Sequence, residues 1–493
     1  MLSVVVAFVI SIVSACSSTN TGDVQTRIAN VENGLIASVI KSESEPAGMA
    51  LSDRLQHYKV PGISIAVINN GEIEWAKGYG VAETGGTHAV TPDTVFQACS
   101  VSKPVSVTGI MLLAQSGVID ISRNVNDYLT SWRLVDNDLT TTQKATIQRL
   151  MSHTAGINVS GYEGYPAGRA VPSLLQVLNG TPPATTAPVQ IVYEPGSLYS
   201  YSGGGMEVLH QMAEDVTGMQ FQSYMKKNIL TPLGMNSSDF LQPLAGPLAL
   251  RAARAHDMDG IMIAGGWRTY PELIAAGLWT TPSDLAGLLI EVQKAVTIDK
   301  GALLTKQTAE RILTQQPKSA MGLGFLLTNG KGGLLFSHSG SNFGYKSYII
   351  AYRDRGQGVA VITNGDNGTA LIMEVVRAVA KVYGWPDTFV QKSELVDVPL
   401  SILQPYVGIY TATFEGYPLQ LEIYLDGSVL MIKTVLMGTG NRSDLYPTVT
   451  NTFLLQEDTL VPGTITFSKD GSGNVTSLTI ALQAGGTIVA TRM

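Results

Sequence analysis

The pattern Ser-x-x-Lys occurs three times in this chain, as Ser38–Lys41, Ser100–Lys103 and Ser223–Lys226. A serine hydroxyl is a poor nucleophile at its free pKa and needs a neighbouring base. On a helix, residues three apart share a face, so the lysine of such a pair can reach the hydroxyl. A buried lysine loses part of its preference for the charged form and can then take or pass a proton. The surroundings separate the three copies. Ser100–Lys103 stands in "FQACSVSKP", where Pro104 has no N–H to donate and is tolerated only near a helix's first turn. That places Ser100 at a helix N-terminus, which favours a developing oxyanion. Ser38–Lys41 falls in a polar lead ahead of the core, and Ser223–Lys226 falls within the amphipathic stretch "FQSYMKKNIL". Neither needs a function.

The elements that must hold this pair are legible around it. "GISIAVINNGEIEWAKGYG" alternates on two arms about Asn69–Asn70–Gly71 and predicts a β-hairpin. From Val101 to about Gly117 the pattern turns helical, with glycine closing it. The middle, from Leu129 to about Thr314, reads as helices with long polar loops. Strand signals return in "GLGFLLTNGKGGLLFSHSG" and "YKSYIIAYRDRGQGVAVITNG", and the apolar helix "ALIMEVVRAVAKVYGW" follows. Strands, then helices, then strands and a helix predict an α+β fold: an antiparallel sheet flanked by helices, with an inserted helical lobe. From Ser401 the hairpins around Asp426–Gly427 and Asp470–Gly471 predict a separate all-β barrel or sandwich. The expected division is 17–47 tether and lead, 48–386 main domain, 387–400 linker and 401–493 β-barrel, the last shaping access to the cleft.

At 493 residues the chain is long enough for two or three well-cored domains. With 45% hydrophobic and 14% charged residues it is an ordered globular protein. A net charge of −7 argues against nucleic acid as a partner, because no basic field offsets the repulsion. The six histidines are scattered without H-x-x-x-H or C-x-x-C spacing, so no metal is expected.

The apolar run from Val4 to Val13 in "MLSVVVAFVISIVSAC" is too short to span a membrane and has the length of a signal-peptide core. The "VSAC" that follows, leading into "SSTNTG", resembles the lipobox of bacterial lipoproteins. That resemblance implies a signal peptide over 1–16, lipidation of Cys16, and a place in the bacterial cell envelope, anchored to a membrane and facing the periplasm or exterior. No Lys or Arg precedes the run, a departure that points to a start codon upstream. With Cys16 lipidated, Cys99 is the one remaining thiol and an intrachain disulfide is excluded.

Two further stretches join the first. "PGSLYSYSGGG" holds Tyr201–Ser202–Gly203, and "FSHSGSNFG" holds His338–Ser339–Gly340. This order resembles the serine β-lactamase and penicillin-binding-protein superfamily. Within it, the chain is most similar to the branch of class C β-lactamases, D-aminopeptidases, DD-carboxypeptidases and esterases of β-lactamase fold (peptidase family S12-like). "VPGISIAVINNGE", "LMSHTAGI" and "AAGLWTTPSDLA" fit the same branch, over roughly Leu51 to Trp385.

The resemblance implies that Ser100 is acylated, that Lys103 is its proton partner, and that Tyr201 is the general base. It places the oxyanion between the backbone N–H groups of Ser100 and Ser341, and puts His338 and Gly340 on the substrate-binding strand, His338 where lactamases have lysine. Gly203 stands where many relatives have Asn, which puts amide selectivity in doubt. The implied activity is serine hydrolysis of a peptide, ester or β-lactam through an acyl-enzyme, without metal or organic cofactor. Peptidase or esterase activity is favoured over strong β-lactamase activity, with a non-catalytic cell-wall-peptide sensor as the rival. The β module resembles lipocalin-like appendages. An unperturbed His338, with a pKa near ~6.5, would gain charge as pH falls and then favour carboxylate-bearing substrates. Tyr199 is read as packing, His153 as a loop-fixing hydrogen bonder and Cys99 as a buried filler. Trp267 and Tyr270 either line a pocket or pack.

Overall fold

The computed structural model describes residues 23–299, 301–414, 417–436, 439–455, 463–481 and 487–493. The apolar run from Val4 to Val13 and Cys16 lie outside the described residues.

The first hairpin forms as its sequence predicts. Gly62–Asn69 (β1) and Glu72–Gly80 (β2) pair antiparallel down to Asn69 opposite Glu72. Asn70 and Gly71 take positive φ angles of 54° and 74°, the backbone that a two-residue turn between right-twisted strands demands. The helix Ser102–Gln115 (α1), the lobe helix Gly203–Thr217 (α2) and the helix Pro282–Ile298 (α3) follow. Leu326–Gly330 (β3), Gly333–Asn342 (β4), Tyr345–Tyr352 (β5) and Gly358–Thr363 (β6) complete the sheet, and Gly368–Val382 (α4) closes the domain.

The sheet has six strands in the order β2-β1-β6-β5-β4-β3, antiparallel throughout. The β1–β6 pair joins the two ends of the domain's sequence across the helical lobe. Both faces are covered, so β1, β5 and β6 are buried along nearly their whole length. Ala66, Ile68, Ala360 and Ile362 pack into one core with residues of α1 and α3, whereas Ile63, Ile65, Val67 and Val361 pack into the other with residues of α4. Most of α1 is buried, including Lys103 and Ser106, because it runs between sheet and lobe.

The lead and the linker also pack. Ile28, Val31 and Leu35 are buried in the outer core, and Gln391–Ser393 of the linker pairs in parallel with Val39–Lys41. The C-terminal part is a closed antiparallel barrel of eight strands joined in sequence order: Gly408–Phe414 (β7), Tyr417–Asp426 (β8), Val429–Leu436 (β9), Thr439–Val449 (β10), Thr452–Leu455 (β11), Gly463–Lys469 (β12), Val475–Ala481 (β13) and Thr487–Arg492 (β14). Tyr410 opposite Arg492 closes it. Its interior is filled by side chains such as Tyr406, which stacks on Phe467 at 4.3 Å between ring centroids.

The barrel was expected to shape access to the cleft, but its described polar contacts lie elsewhere. Asp444 of β10 meets His57 at 3.3 Å and Arg54 at 3.8 Å, and Arg442 meets Asp259 at 2.7 Å. Arg54 in turn grips the fully buried Glu374 of α4 at 2.6 Å, with the Tyr58 hydroxyl donating to the same carboxylate at 2.8 Å. The barrel therefore caps a buried ion pair on the outer side of the sheet. None of these residues lines the space in front of Ser100.

Candidate active site

The chain enters the site through a short strand, Phe96–Gln97, paired with Trp279–Thr280. It then tightens into a 3₁₀ turn, Cys99–Val101, directly ahead of α1. Cys99 takes a left-handed φ of 55°, uncommon for a residue with a side chain, and such strain clusters at functional sites. Ser100 is half-buried at the mouth, and Lys103 lies one turn inward, only 2% exposed. Lys103 Nζ donates to Ser100 Oγ at 3.1 Å and to the Ala275 carbonyl at 2.8 Å. Burial pushes the Lys103 ammonium down to about 7 against the opposing pull of Glu207, so near neutral pH it can both release and accept a proton.

The other two Ser-x-x-Lys copies show no such contact. Ser38 is buried just ahead of a strand that carries Lys41, and Lys41 pairs with Asp397 at 3.4 Å. Lys226 turns to the Ser238 carbonyl at 3.2 Å and to Asp239 at 3.3 Å.

Tyr201 is placed by the cap of α2. The Ser202 hydroxyl accepts the Gly205 N–H at 2.9 Å and donates to the Asn158 carbonyl at 2.6 Å, which fixes the residue just before it. The Tyr201 ring lies 4.9 Å from Lys103 Nζ. His153 Nδ1 accepts the Ser202 N–H at 3.2 Å, and its ring centroid is 4.4 Å from that of Tyr201. Burial, then the charge of Lys103, holds His153 well below its ordinary pKa, so it serves as a neutral brace of this loop. Gly203 leaves room for the Tyr162 ring: a Cβ there would lie 2.8 Å from it.

The fourth wall is β4. Its pairing with β3 ends at Ser337, so residues 338–342 have no strand partner on that side among the described residues. Gly340 runs against the Ala98–Cys99 turn, and Ser341 lines the same space as Ser100. Lys346 of β5, buried, donates to Ser341 Oγ at 2.8 Å and pairs with Asp366 at 3.2 Å. An ammonium has no acceptor, so the Ser341 hydroxyl keeps its own proton free to donate.

His338 departs from the sequence expectation. Its Nδ1 meets the Ser339 carbonyl at 2.6 Å, and burial, with Lys103 beside it, pushes the imidazole down to about 3. It is neutral across the working range and offers no fixed charge along the strand edge. The remaining readings divide. Tyr199, expected to pack, instead lines the space with Ser100 and Tyr201 and is 43% exposed. Tyr270 is fully buried, and its hydroxyl accepts the Phe343 N–H at 3.0 Å. Trp267 packs on Trp279 with ring centroids 5.2 Å apart. Burial pushes the Cys99 thiol up to about 12, so it is an inert filler.

Together these walls enclose about 330 Å³, with Tyr348, Thr369, Ile372 and Met373 behind the strand edge. The arrangement offers a hydroxyl with a basic amine in reach, a phenol beside both, and an open strand edge that can receive an extended substrate. A nucleophile, a base and backbone donors within one cleft are what acyl transfer requires.

The Beta-lactamase family profile matches residues 48–382. The chain belongs to the Beta-lactamase family. Among curated relatives of this β-lactamase-family chain is "Penicillin-binding protein 4" of Amycolatopsis lactamdurans, 28% identical over 349 residues, which cover 66% of this chain and 86% of that protein. "Protein flp" of Staphylococcus aureus strain N315 is 24% identical over 320 residues, 63% of this chain and 61% of the relative. Among solved structures, the octameric penicillin-binding protein homologue from Pyrococcus abyssi superposes with a TM-score of 0.60 at 22% identity, over 89% of this chain and 98% of that one. The β-lactamase/D-alanine carboxypeptidase from Yersinia pestis, complexed with citrate, does so with a TM-score of 0.51 at 18% identity, over 67% of this chain and 97% of that one. These likenesses carry the fold.

The β-lactamase-family site also contains residues that sequence reasoning passed over. Glu207 of α2, fully buried, accepts the Ala275 N–H at 2.9 Å and meets His210 Nδ1 at 2.8 Å. Glu272, 1% exposed, lies at the head of the same Leu273–Ala276 turn. Burial, reinforced by the charge of Glu207, pushes its carboxyl up to about 8. For Lys346 a signal existed: a lysine inside the apolar run "GYKSYIIAY" needs a buried partner.

Proposed function

We propose that the protein is a serine hydrolase that acylates Ser100 and acts on uncharged esters or amides of the cell envelope. The observation that carries this reading is the 3.1 Å contact between Ser100 Oγ and a buried Lys103 whose pKa is lowered to about 7. In acylation the Ser100 oxygen attacks the substrate carbonyl while its proton passes to Lys103 in its amine form, with Tyr201 alongside. The oxyanion faces the N–H groups of Ser100 and Ser341. The proton then goes to the leaving alcohol or amine as the carbonyl–heteroatom bond breaks. A water activated by Tyr201 reverses the sequence and frees Ser100.

Preference for uncharged substrates follows from the lining. Among the described residues around this space are hydroxyls, tyrosines, Ile372 and Met373, but neither an arginine nor a lysine at the strand edge. The ratio of kcat/KM for a carboxylate-bearing substrate to that for a matched neutral one should therefore stay flat from about pH 8 to about pH 6, because His338 gains no charge there. His338→Lys should raise that ratio. A wild-type ratio that climbs as pH falls would show a cation forming at the site after all.

Intact-protein mass spectrometry with a short-chain p-nitrophenyl ester, a D-amino-acid peptide amide and a β-lactam tests the main reading. The expected result is a transient acyl adduct on Ser100 with turnover of the ester. No adduct on Ser100 with any of the three overturns it, and an adduct that never hydrolyses favours a penicillin-binding sensor. The envelope placement rests on the Cys16 lipobox resemblance. Cys16→Ser should move the protein from the membrane to the soluble fraction, and a variant that fractionates with the membrane as before sinks that placement.

A further inference from the structure

The Leu273–Ala276 turn carries the acceptor for Lys103 and is itself held by a carboxylate. The Ala275 carbonyl accepts from Lys103 Nζ at 2.8 Å, while the Ala275 N–H donates to Glu207 Oε1 at 2.9 Å. A single residue of backbone thus stands between the lysine and the acid. The other Glu207 oxygen meets His210 Nδ1 at 2.8 Å, and His210 Nε2 faces Glu214 at 3.6 Å. A carboxylate this deeply buried persists only when hydrogen-bonded and paired, and Glu207 is both.

We infer that Glu207 is a positioning residue for Lys103: through Ala275 it fixes the carbonyl that orients the amine, and its negative charge sets how tightly Lys103 holds its proton. This rests on the reading of Ser100 and Lys103 given above. The Tyr201 ring lies 4.9 Å from the amine, and of the other described groups around the lysine, Cys99, His338 and His153 are uncharged near neutral pH. Burial pushes the Cys99 thiol up to about 12 and His338 down to about 3, and it holds His153 well below its ordinary value. Glu272, on the turn, has its carboxyl pushed up to about 8 and is mostly protonated. Behind Glu207 stands His210. Burial alone would lower it, but its hydrogen bonds to Glu207 and Glu214 raise it to about 9, so it is an imidazolium. Among the described carboxylates, Glu207 is therefore the close negative charge that acts on Lys103, partly compensated from behind.

Two substitutions separate position from charge, and they act with opposite sign. Glu207→Gln keeps an acceptor for the Ala275 N–H and presents an amide donor to a neutral His210, but removes the negative charge. Lys103 then loses its proton more readily, and the acid limb of kcat/KM moves down. His210→Gln keeps a donor for Glu207 and removes the imidazolium, so the carboxylate acts uncompensated and the limb moves up.

The test is the pH profile of kcat/KM for p-nitrophenyl acetate from about pH 5 to about pH 9 in wild type and both variants. The expected shift is about one unit down for Glu207→Gln, which makes it roughly fivefold faster than wild type at pH 6 relative to its own plateau. His210→Gln should move up by about half a unit. Unchanged limbs, or shifts in the same direction, overturn the inference, since a merely structural role lowers the plateau without moving the limb. If Glu207→Gln fails to fold, His210→Gln decides alone: an upward limb supports the role, and an unmoved or lowered one overturns it. A wild type that never acylates Ser100 is a different failure and overturns the hydrolase reading instead.

Discussion

Ser100→Ala should abolish hydrolysis and covalent labelling together, with kcat lower by about 10⁴-fold or more. Alanine removes the hydroxyl that Lys103 Nζ holds at 3.1 Å and leaves the amine and the strand edge in place. Whatever rate survives then comes from binding and backbone donors alone. The comparison that gives this result meaning lies in the other copies of the motif. Ser38 is buried beside a strand, its hydroxyl without a bonded partner among the described residues, and Ser223 is exposed. Ser38→Ala and Ser223→Ala should leave kcat/KM within about twofold of wild type, as substitutions outside the working unit do. Labelling with a fluorophosphonate, read by intact mass, checks all three. Persistent labelling of Ser100→Ala, or equal loss in Ser223→Ala, would remove Ser100 from the nucleophile's role.

What separated Ser100 from its duplicates in the sequence was local: a proline that marks a first helical turn, and an apolar helix behind it. Signals of that kind were legible throughout. The Asn70–Gly71 turn, the closing glycines of helices and the alternation of the C-terminal hairpins all act within a few residues, so the α+β sheet and the barrel could be read from them. The residues that went unread depend on packing between distant segments. Glu207 and His210, in "GGGMEVLHQMAEDVTG", look like the polar side of an amphipathic helix. They become an interior network only because α2 is buried on that side as well, against the turn around Ala275.

His338 shows the same limit in its charge. Its place on the strand was readable from the motif, whereas its protonation is set by burial and by the charge of Lys103 on α1. The barrel was readable as a module but not as the cap of the Arg54–Glu374 pair, because the acid and its arginine lie far apart in sequence and meet only when α4 docks. Asp366, in the turn after β6, is hidden in the same way: it looks like an ordinary turn residue until Lys346 is seen to lie beside it.

Gly340→Ala should cost about 10²-fold in kcat/KM and destabilise the domain by about 1–3 kcal/mol, although it adds only one methyl group beside the nucleophile turn. The strand β4 can lie against the nucleophile turn because residue 340 has no side chain. A Cβ there would lie 2.7 Å from the Ala98 carbonyl oxygen and 2.8 Å from Cys99 Cβ, and would meet Ser347 Oγ as well. Two of these are parts of the turn that holds Ser100. The third belongs to a hydroxyl that donates to the Ala98 carbonyl at 2.6 Å, so the bond tying β5 to the turn passes directly over the glycine. Backbone on one side and a committed hydrogen bond on the other leave little room to yield. The strand edge must move away from Ser100, and the Ser341 N–H moves with it. The effect should fall on kcat more than on KM, since substrate can still lie along a displaced edge while the oxyanion loses its donor. Gly471 provides the control: it lies in a barrel turn with open space around its missing Cβ, and Gly471→Ala should change neither Tm nor rate. Steady-state kinetics and thermal melts on the two variants decide the matter, and a Gly340→Ala enzyme with wild-type kcat would show that the edge of β4 takes no part in holding the oxyanion.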